Sequence, residues 1–303
     1  MDNRLYMEPD TLPALDSVSE RSQDNSVLFA TPTHFSVDYR INPYMVSGVD
    51  TDAASDQWHD LVDRYEEIAD VTVMDVEAVW NDLKDSGEVA PPSELPDITF
   101  CSNHALSLPN GDGFLLAEMA TEERRDEPAY FRQWCENREI TTETLQSDVT
   151  FEGCGDARWH PGRQLLWGGY GPRTDLAAYR EIADRFDIPV VPLELTDEAY
   201  YHLDVCFSAI DERTAVVCPD AFTETGREKL DRIFETLITV SPEAAQEHFA
   251  CNCHSIAGDV VVIEQSNRET ITALESRGYD TLCVSTDEFM KAGGSVACMA
   301  FPH

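Results

Sequence analysis

The sequence repeats one pattern of secondary structure along most of its length. The repeat units begin near residues 27, 98, 149, 201 and 249, and most of them are about fifty residues apart. Each unit has two strands joined by a turn, then a helix and a further strand. A period of this size indicates a repeat architecture, so five ββαβ units in a ring would form one α/β domain around a central channel. An open α/β sheet is the alternative, and the paired strands before each helix count against it.

The individual elements are predicted from hydrophobic periodicity and from the positions of glycine and proline. Strands are predicted over residues 27–30, 71–74, 98–101, 113–116, 149–151, 165–167, 189–193, 201–207, 214–218, 237–240, 260–263 and 281–284. Helices are predicted over residues 53–69, 128–138, 175–186, 223–236 and 267–276. Residues 75–95 are predicted to form a short helix that ends near Gly87, followed by a proline-rich loop.

Residues 1–26 differ in composition from the rest of the chain. They mix Asp, Glu, Ser, Asn and Pro, and they lack the apolar stretch of a secretory signal. We therefore expect a disordered acidic and polar extension over residues 1–26 and a single domain over residues 27–303. No apolar run in the sequence approaches the length of a membrane span, so we expect no membrane partner.

Acidic residues dominate the charge of the chain. There are 58 Asp and Glu against 21 Lys and Arg, which gives a formal charge of -37. Such a surface repels nucleic acid and anionic membranes, because both bind basic patches. It also destabilises a compact fold by self-repulsion unless concentrated salt screens the charges. The composition therefore predicts a protein of a high-salt cytoplasm with no nucleic-acid partner. A homo-oligomer is compatible with these features.

The nine cysteines are expected to be reduced thiols, because their number is odd, the chain is large and no signal precedes it. The cluster Cys251-Asn252-Cys253-His254 raises the question of a metal site. One intervening residue places the two sulfurs on opposite faces of a strand, whereas zinc ligands usually come in pairs at turn spacing. We therefore predict no metal.

One cysteine follows a glycine turn near the end of the sequence. Residues 293–295 are Gly-Gly-Ser, which permits a tight turn and a close approach to a ligand. The apolar residues around Cys298 predict a short buried strand over 296–299, which would present the thiol much as a nucleophile elbow presents its serine. A free cysteine in such surroundings is also common as a small buried apolar residue. This stretch alone leaves both interpretations open.

Several polar residues that are unusual in buried strands occur where the repeat units open. They are Asn103, Glu152, Asp156, His202, Asp204 and Cys298. His202 and Asp204 are two residues apart and would share one face of a strand. In a ring of repeats, a thiol, an imidazole and several carboxylates at equivalent positions would converge on the same channel.

These motifs resemble those of a known superfamily. They are Phe151-Glu152-Gly153-x-Gly155-Asp156, Gly169-Tyr170-Gly171-Pro172-Arg173-Thr174-Asp175, His202-Leu203-Asp204 and Gly293-Gly294-Ser295-x-x-Cys298. The sequence is similar over about residues 27–301 to the guanidine-modifying superfamily of arginine deiminases, dimethylarginine dimethylaminohydrolases, amidinotransferases and arginine dihydrolases. The resemblance implies the pentein fold, a five-bladed α/β propeller of ββαβ repeats. Residues 27–303 would then be a single pentein catalytic domain.

The resemblance implies covalent catalysis on a guanidinium group without metal or organic cofactor. Cys298 would be the nucleophile that forms a thiouronium intermediate, and His202 the acid and base that serves both the leaving group and water. Glu152 would orient the imidazole and hold the cation. A bound cation would lower the pKa of the thiol, which is about 8.5 in a free cysteine.

The remaining site residues are implied as substrate-binding groups. Asp204 matches a second guanidinium-binding carboxylate, and Arg173 and Arg124 match positions that hold the α-carboxylate of the substrate, a role that suits a bidentate guanidinium. The other residues implied to bind substrate are Asn103, Asp156, Asn42 and Ser295.

The choice of subfamily depends on two positions. Dimethylarginine hydrolases lack the aspartate of His202-Leu203-Asp204, and arginine deiminases usually carry an aspartate where this chain has Asn103. The segment 38–45 is most similar to that of arginine dihydrolases, which convert arginine to ornithine, ammonia and carbon dioxide. We therefore rank dihydrolase first, deiminase second, dimethylarginine hydrolase third and amidinotransferase fourth. A non-catalytic pentein binding protein is the alternative from another class.

Overall fold

A computed structural model describes residues 4–22, 25–85, 87 and 89–303. Its strands over these residues are β1 (Ser26–Ala30), β2 (Asp70–Met74), β3 (Ala105–Ser107), β4 (Gly113–Leu116), β5 (Thr141–Glu143), β6 (Ala157–Trp159), β7 (Leu166–Tyr170), β8 (Val190–Glu194), β9 (Phe207–Ala209), β10 (Thr214–Val217), β11 (Thr236–Thr239), β12 (His254–Ile256), β13 (Val260–Glu264), β14 (Asp280–Val284) and β15 (Phe301–Pro302).

The α-helices of the described residues connect these strands or form single turns between them. They are α1 (Thr51–Glu66), α2 (Val76–Leu83), α3 (Glu127–Glu136), α4 (Gly153–Asp156), α5 (Leu176–Phe186), α6 (Glu224–Ile233), α7 (Pro242–Glu247), α8 (Arg268–Glu275), α9 (Asp287–Met290) and α10 (Val296–Met299). None of the helices within the described ranges is long and apolar enough to cross a membrane.

The described strands form five separate three-stranded sheets of the same topology. In each sheet the middle strand pairs antiparallel with one neighbour and parallel with the other. In the third sheet, for example, β7 is antiparallel to β6 and parallel to β8, and a crossover through α5 joins the two parallel strands. Parallel pairs need such a crossover, whereas antiparallel pairs need only a turn. The mixed α/β class is confirmed, and so is the ββαβ order of the second to fifth units.

The first sheet departs from the predicted order of strands. Its middle strand β1 is parallel to β2, and its antiparallel partner is β15 from the far end of the sequence. Val27 lies opposite Pro302, and Leu28 lies opposite Phe301. Strand β1 was predicted to be the first strand of the first unit, but it takes the position of the second strand, and β15 takes the position of the first. This pairing could not be found from local periodicity, because it joins segments at opposite ends of the sequence.

Four predicted strands are wrong, because the chain turns there instead of extending. Residues 98–101 and 201–207 contain single turns of 3-10 helix, Phe151 forms an isolated bridge, and residues 296–299 form α10. A short apolar run does not by itself distinguish a buried strand from a buried helical turn. In each of these places the sheet begins a few residues later, at β3, β6, β9 and β15.

The segment 4–22, which was expected to be disordered, lies against the third sheet. The Val190 amide donates to the Arg4 carbonyl oxygen at 2.8 Å, and the Tyr6 amide donates to the Val190 carbonyl oxygen at 2.9 Å. Leu5 and Val18 are buried. The few apolar residues of this polar segment are thus enough to anchor it, together with backbone pairing to an open strand edge. Residues 1–3, 23 and 24 lie outside the described part of the chain.

Helix α1 illustrates how the helices cover the sheets. Asp50 caps its N-terminus by accepting from the amides of Asp52 and Ala53, and its buried stripe includes Trp58, Leu61, Val62 and Tyr65. These spacings place the apolar residues on one face. The antiparallel edge strands β3, β6, β9, β12 and β15 all contribute residues to the lining of one pocket of about 800 Å³ that is open to solvent, named the channel. Polar residues that follow or precede these strands are thereby brought close together.

Candidate active site

Cys298 lies on the single helical turn α10, directly after the glycine turn. Gly293 has φ +93°, and a Cβ atom there would lie 2.5 Å from Nδ2 of Asn42. A Cβ atom on Gly294 would lie 2.4 Å from the ring of Phe100. Only glycine satisfies both the left-handed backbone and these close approaches. The predicted glycine turn is present, but the residues that follow it form a helical turn instead of the predicted strand, and the thiol lies on this helical turn.

The Cys298 thiol contacts two polar side chains. Asn252 Nδ2 donates to its Sγ at 3.1 Å, and Sγ donates to Asp204 Oδ2 at 3.3 Å. Cys298 is 2 % exposed. Burial, together with the negative charge of Asp204, raises the pKa of the thiol well above its usual range. A cation placed beside the thiol would oppose both effects and favour the thiolate.

Asn252 connects Cys298 with Asp204. Its Oδ1 accepts from the Ala297 amide at 2.9 Å and from the Cys298 amide at 3.4 Å. Its Nδ2 also donates to the Asp204 carbonyl oxygen at 3.2 Å. This residue was not predicted from the sequence, because the cysteines that flank it gave the stronger signal. The described residues contain no group of three or more His, Cys, Asp or Glu side chains arranged to hold a metal.

His202 and Glu152 form a buried pair. His202 Nε2 lies 2.6 Å from Glu152 Oε2, and the Ala120 amide donates to Glu152 Oε1 at 3.0 Å. Burial alone would raise the pKa of Glu152, but Arg173 and the hydrogen bond with His202 hold it well below its usual range. Glu152 is therefore a carboxylate that accepts from the imidazole and fixes its orientation.

Asp156 supports the segment that carries His202 instead of facing the pocket. Its Oδ1 accepts from the Leu203 amide at 3.0 Å, and its Oδ2 accepts from Thr174 Oγ1 at 2.7 Å. Burial raises its pKa to about 6. Gly155 beside it is tightly enclosed, since a Cβ atom there would lie 2.1 Å from Asn103 Nδ2 and 3.3 Å from His202 Nδ1. The glycine thus lets two functional side chains approach each other.

Arg173 lies between Glu152 and the loop that follows β1. Its Nη1 is 3.2 Å from Glu152 Oε2, and its Nη2 donates to the Ile41 carbonyl oxygen at 2.7 Å. Its guanidinium also lies 5.2 Å from the centre of the Tyr201 ring, within the range of a cation–π contact. The loop of residues 40–45 is therefore linked to the Glu152 carboxylate through Arg173.

Arg124 belongs to a second buried charge cluster. Its Nη2 lies 2.7 Å from Glu127 Oε2, and its Nη1 donates to Asn103 Oδ1 at 2.9 Å. His104 Nε2 lies 3.1 Å from the same Glu127 carboxylate, and burial lowers the pKa of His104. Glu127, which was not predicted from the sequence, fixes Arg124 and through it Asn103.

Two of the residues implied to bind substrate make hydrogen bonds within the protein. Asn42 Nδ2 donates to the Ala292 carbonyl oxygen at 2.9 Å, and its Oδ1 accepts from the Tyr44 amide at 3.0 Å. Ser295 is buried and its hydroxyl lies 2.7 Å from Thr286 Oγ1. Both therefore hold the glycine turn in place.

A pocket of about 260 Å³ joins these groups. Its lining includes Cys298, Asn42, Asn103, Arg124, Arg173 and a residue that was not predicted from the sequence, Asp97. Burial raises the pKa of Asp97 to about 7. The lining of the pocket thus includes one thiol and two guanidinium groups. Carboxylates contact each of them: Asp204 contacts the thiol, Glu127 contacts Arg124 and Glu152 contacts Arg173.

This arrangement suits a ligand that carries both charges. Asp204 and Glu152 lie beside the thiol and the imidazole and can bind a cationic head group. Arg124 and Arg173 line the pocket, and a guanidinium group can bind a carboxylate there. A thiol and an imidazole are a combination used in covalent catalysis.

Comparisons with known proteins agree with this chemistry. Residues 45–303 match the sequence profile of the family described as "N,N dimethylarginine dimethylhydrolase, eukaryotic". The bifunctional arginine dihydrolase/ornithine cyclodeaminase AgrE of Nostoc sp. is 31 % identical over 90 % of this chain and 37 % of its own length. The N(G),N(G)-dimethylarginine dimethylaminohydrolase of Mycobacterium tuberculosis is 30 % identical over 88 % of this chain and 82 % of its own.

A solved structure is similar over nearly the whole chain. The N-terminal domain of ArgZ, an arginine dihydrolase from the ornithine-ammonia cycle in cyanobacteria, superposes with a TM-score of 0.81 at 32 % identity. The alignment covers 92 % of this chain and 97 % of that domain. This chain spans little more than a third of the length of the full bifunctional relatives. It belongs to the dimethylarginine dimethylhydrolase family of guanidine-modifying proteins.

Proposed function

We propose that this protein is a cysteine-dependent hydrolase of the guanidinium group of free L-arginine. One observation carries the proposal: the thiol of Cys298, the His202–Glu152 pair and Asp204 lie together beside a pocket that also contains two arginines. The carboxylates and the guanidinium groups around this pocket match the two charges of an amino acid with a cationic side chain.

The reaction begins when the substrate guanidinium binds between Asp204 and Glu152. Its positive charge lowers the pKa of Cys298, whose thiol is otherwise kept protonated by burial and by Asp204. The thiol proton is lost to solvent, and the thiolate attacks the guanidinium carbon, so that a C–S bond forms while the electron pair of the C=N bond moves to nitrogen. His202 donates a proton to the departing nitrogen, so ammonia leaves and a thiouronium remains.

Water completes the first round. His202, which is now neutral, accepts a proton from a water molecule whose oxygen attacks the same carbon, and the C–S bond breaks. Citrulline is released and the thiolate is restored. Glu152 keeps the imidazole in one orientation through both proton transfers, since its carboxylate accepts from Nε2 at 2.6 Å.

We assign a second round of hydrolysis to Asn103, which makes arginine dihydrolase the first choice. Arg124 donates to Asn103 Oδ1, so the amide nitrogen of Asn103 must point the other way, toward Gly155 and His202. That nitrogen has no hydrogen-bond partner among the described residues. An amide N–H₂ group can donate to the oxygen of a neutral ureido group and hold it for another attack. The second round gives ornithine, ammonia and carbon dioxide.

The comparisons support this choice without deciding it. The domain-sized match to ArgZ is named for arginine dihydrolase activity, and a mutant of that domain with a cysteine replaced by serine is described as bound to substrate. Asn103 favours the dihydrolase over the deiminase. The ornithine cyclodeaminase activity in the names of the longer relatives forms no part of the proposal, because this chain spans 37 % of those proteins.

We also propose that the five sheets are the blades of a pentein propeller. The shared topology of the sheets supports this arrangement, and so does the channel to which the antiparallel edge strand of each sheet contributes. In a propeller, β15 would close the ring by completing the first blade.

The proposal is tested by incubating the purified protein with arginine in about molar KCl, a concentration that screens its surface charge. Ammonia, citrulline and ornithine are then quantified. Ornithine with two ammonia per arginine is the expected result. Citrulline with one ammonia would make the protein a deiminase, and dimethylamine from dimethylarginine would make it a dimethylarginine hydrolase. Failure to turn over any guanidine compound would favour a non-catalytic binding protein.

A further inference from the structure

The channel and the substrate pocket are lined by different residues, and both lie against the segment that carries Cys298. The channel of about 800 Å³ is lined by residues of the antiparallel edge strands, and Asp204 and Ala297 form part of its wall. The substrate pocket contains Cys298 in its own lining. Asp204 therefore lies between the channel and the nucleophile.

Arg158 extends from β6 into this channel and meets Asp204. Its Nη2 lies 3.3 Å from Asp204 Oδ2, and its side chain is 14 % exposed. Cys298 Sγ lies 3.3 Å from the same oxygen. The guanidinium nitrogen and the sulfur are therefore at most about 7 Å apart, twice the 3.3 Å of each contact. One carboxylate oxygen is shared by an arginine behind it and the nucleophile in front of it.

We propose that Arg158 is a positioning residue for the nucleophile: it fixes the Asp204 carboxylate toward Cys298 and offsets the charge that opposes thiolate formation. The proposal rests on the assignment of Cys298 as the nucleophile. The substrate guanidinium approaches Asp204 from the pocket, and Arg158 approaches it from the channel. The carboxylate is thus held by a permanent cation on one side and can bind a transient cation on the other.

The surroundings of Arg158 favour this pairing over any other. The nearby His254 ring accepts or donates a hydrogen bond with Tyr65 at 3.0 Å, and burial with the charge of Arg158 lowers the pKa of His254 to about 3. This imidazole is therefore neutral at physiological pH and does not replace Arg158 as a cation. Burial also raises the pKa of Cys253, another channel residue, to about 11, so its thiol is uncharged.

The charged and titratable groups around Cys298 come from several elements. Asp204 and Tyr201 lie on the segment before β9, and the charge of Cys298 contributes to the raised pKa of Tyr201. Arg124 and Arg173 face the substrate pocket together with Asp97. Burial disfavours the thiolate most, and the charge of Asp204 has the next largest effect. A cation bound to Asp204 is therefore the most direct means of reducing that effect.

The test measures the ionisation of Cys298 without requiring turnover. Wild type, Arg158→Gln and Arg158→Lys are treated with iodoacetamide at pH values from about 6 to 10, since the thiolate is the reactive form. Labelling of the peptide that contains Cys298 is followed by mass spectrometry, which separates it from the exposed Cys283. Gln can still donate a hydrogen bond to Asp204 and thus preserves the fold while removing the charge.

We expect alkylation of Cys298 in Arg158→Gln to be about tenfold slower, with its pH midpoint moved upward by about one unit, as for the loss of one nearby opposite charge. Arg158→Lys keeps the charge and should remain close to wild type. In turnover assays, kcat of Arg158→Gln should fall while KM does not rise, because Asp204 stays available to the substrate. Arg21→Met is the matched control, since Arg21 lies in the same channel but packs on Trp159 and donates to Ser107.

Alkylation of Arg158→Gln at the wild-type rate or faster at every pH would overturn the proposal, even if kcat fell, because Arg158 would then have only a structural role. A slow Arg158→Lys would overturn it as well. If wild type turns over no guanidine compound, the proposed function fails, while the alkylation profiles still decide the role of Arg158.

Discussion

Replacement of Glu152 by glutamine tests the central pair of the site. Glu152 is fully buried and its carboxylate contacts His202 at 2.6 Å, Arg173 at 3.2 Å and the Ala120 amide at 3.0 Å. Breaking a buried charge pair costs about 3–5 kcal/mol, because the partner is left uncompensated. Glutamine retains the shape of the side chain and one acceptor oxygen. We therefore expect the free energy of unfolding to fall by about 3 kcal/mol, the lower end of this range. The midpoint of thermal unfolding should fall by roughly 6–10 °C.

The pH dependence of this loss follows from the lowered pKa of Glu152. A carboxylate with a lower pKa in the folded state stabilises the protein above its unfolded pKa, which is about 4.3, and this contribution is lost as the pH falls through the folded value. The difference in melting temperature between wild type and Glu152→Gln should therefore be constant from about pH 8 to pH 5. It should shrink below about pH 4.

Activity should fall much further than stability. Without the carboxylate, the His202 imidazole loses its acceptor and its fixed orientation, so kcat should drop by about 10²–10⁴. Turnover of arginine is measured below the melting temperature of the variant. Glu181→Gln is the matched control, because Glu181 also has a lowered pKa but accepts from Gln146 and Ser147 on the outside of α5. A Glu152→Gln enzyme with kcat within about tenfold of wild type would refute the role given to Glu152.

Three further predictions concern the nucleophile, the product and the solvent. Cys298→Ser should abolish turnover, whereas Cys253→Ser, at a buried channel position, should not; an active Cys298→Ser enzyme contradicts the assignment. Asn103→Asp should shift the product from ornithine toward citrulline, because the amide donor is lost beside Arg124; product analysis that still shows ornithine alone argues against this role. The melting temperature should rise steeply with KCl up to about molar concentration, because salt screens the formal charge of -37. Full stability and activity in dilute buffer would contradict the inference of a high-salt cytoplasm.

The repeat and the regular elements could be predicted from the sequence because their signals are local. Helix α5 was expected over residues 175–186 and is Leu176–Phe186, and β13 was expected over 260–263 and is Val260–Glu264. Their apolar spacing and flanking turns suffice for such predictions. The segments that carry the site could not be predicted in this way. Residues 201–207 and 296–299 have the composition of buried strands, but distant contacts fold them into turns.

The identity of several site residues could be predicted from the sequence, but the contacts that these residues make could not. Cys298 contacts Asp204 and His202 contacts Glu152, while the catalytic and binding roles that the resemblance implies for these residues stay predictions. Asn42, Asp156 and Ser295 make hydrogen bonds that support the chain around the site, which composition and spacing do not reveal. Asn252 and Arg158 were missed because an asparagine between two cysteines and an arginine on a short strand have many ordinary explanations.

The pairing of β15 with β1 makes the position of Cys298 dependent on a contact between segments at opposite ends of the sequence. Cys298 lies three residues before the start of β15, and Val27 lies opposite Pro302. Contacts between residues so far apart in sequence form late in folding, because the entropy of closing a long loop must first be overcome. The helices and the individual sheets can form from nearby residues before that closure. The position of the Cys298 thiol therefore depends on completion of the fold, and a chain whose other four sheets are in place does not have this thiol in position until β15 docks.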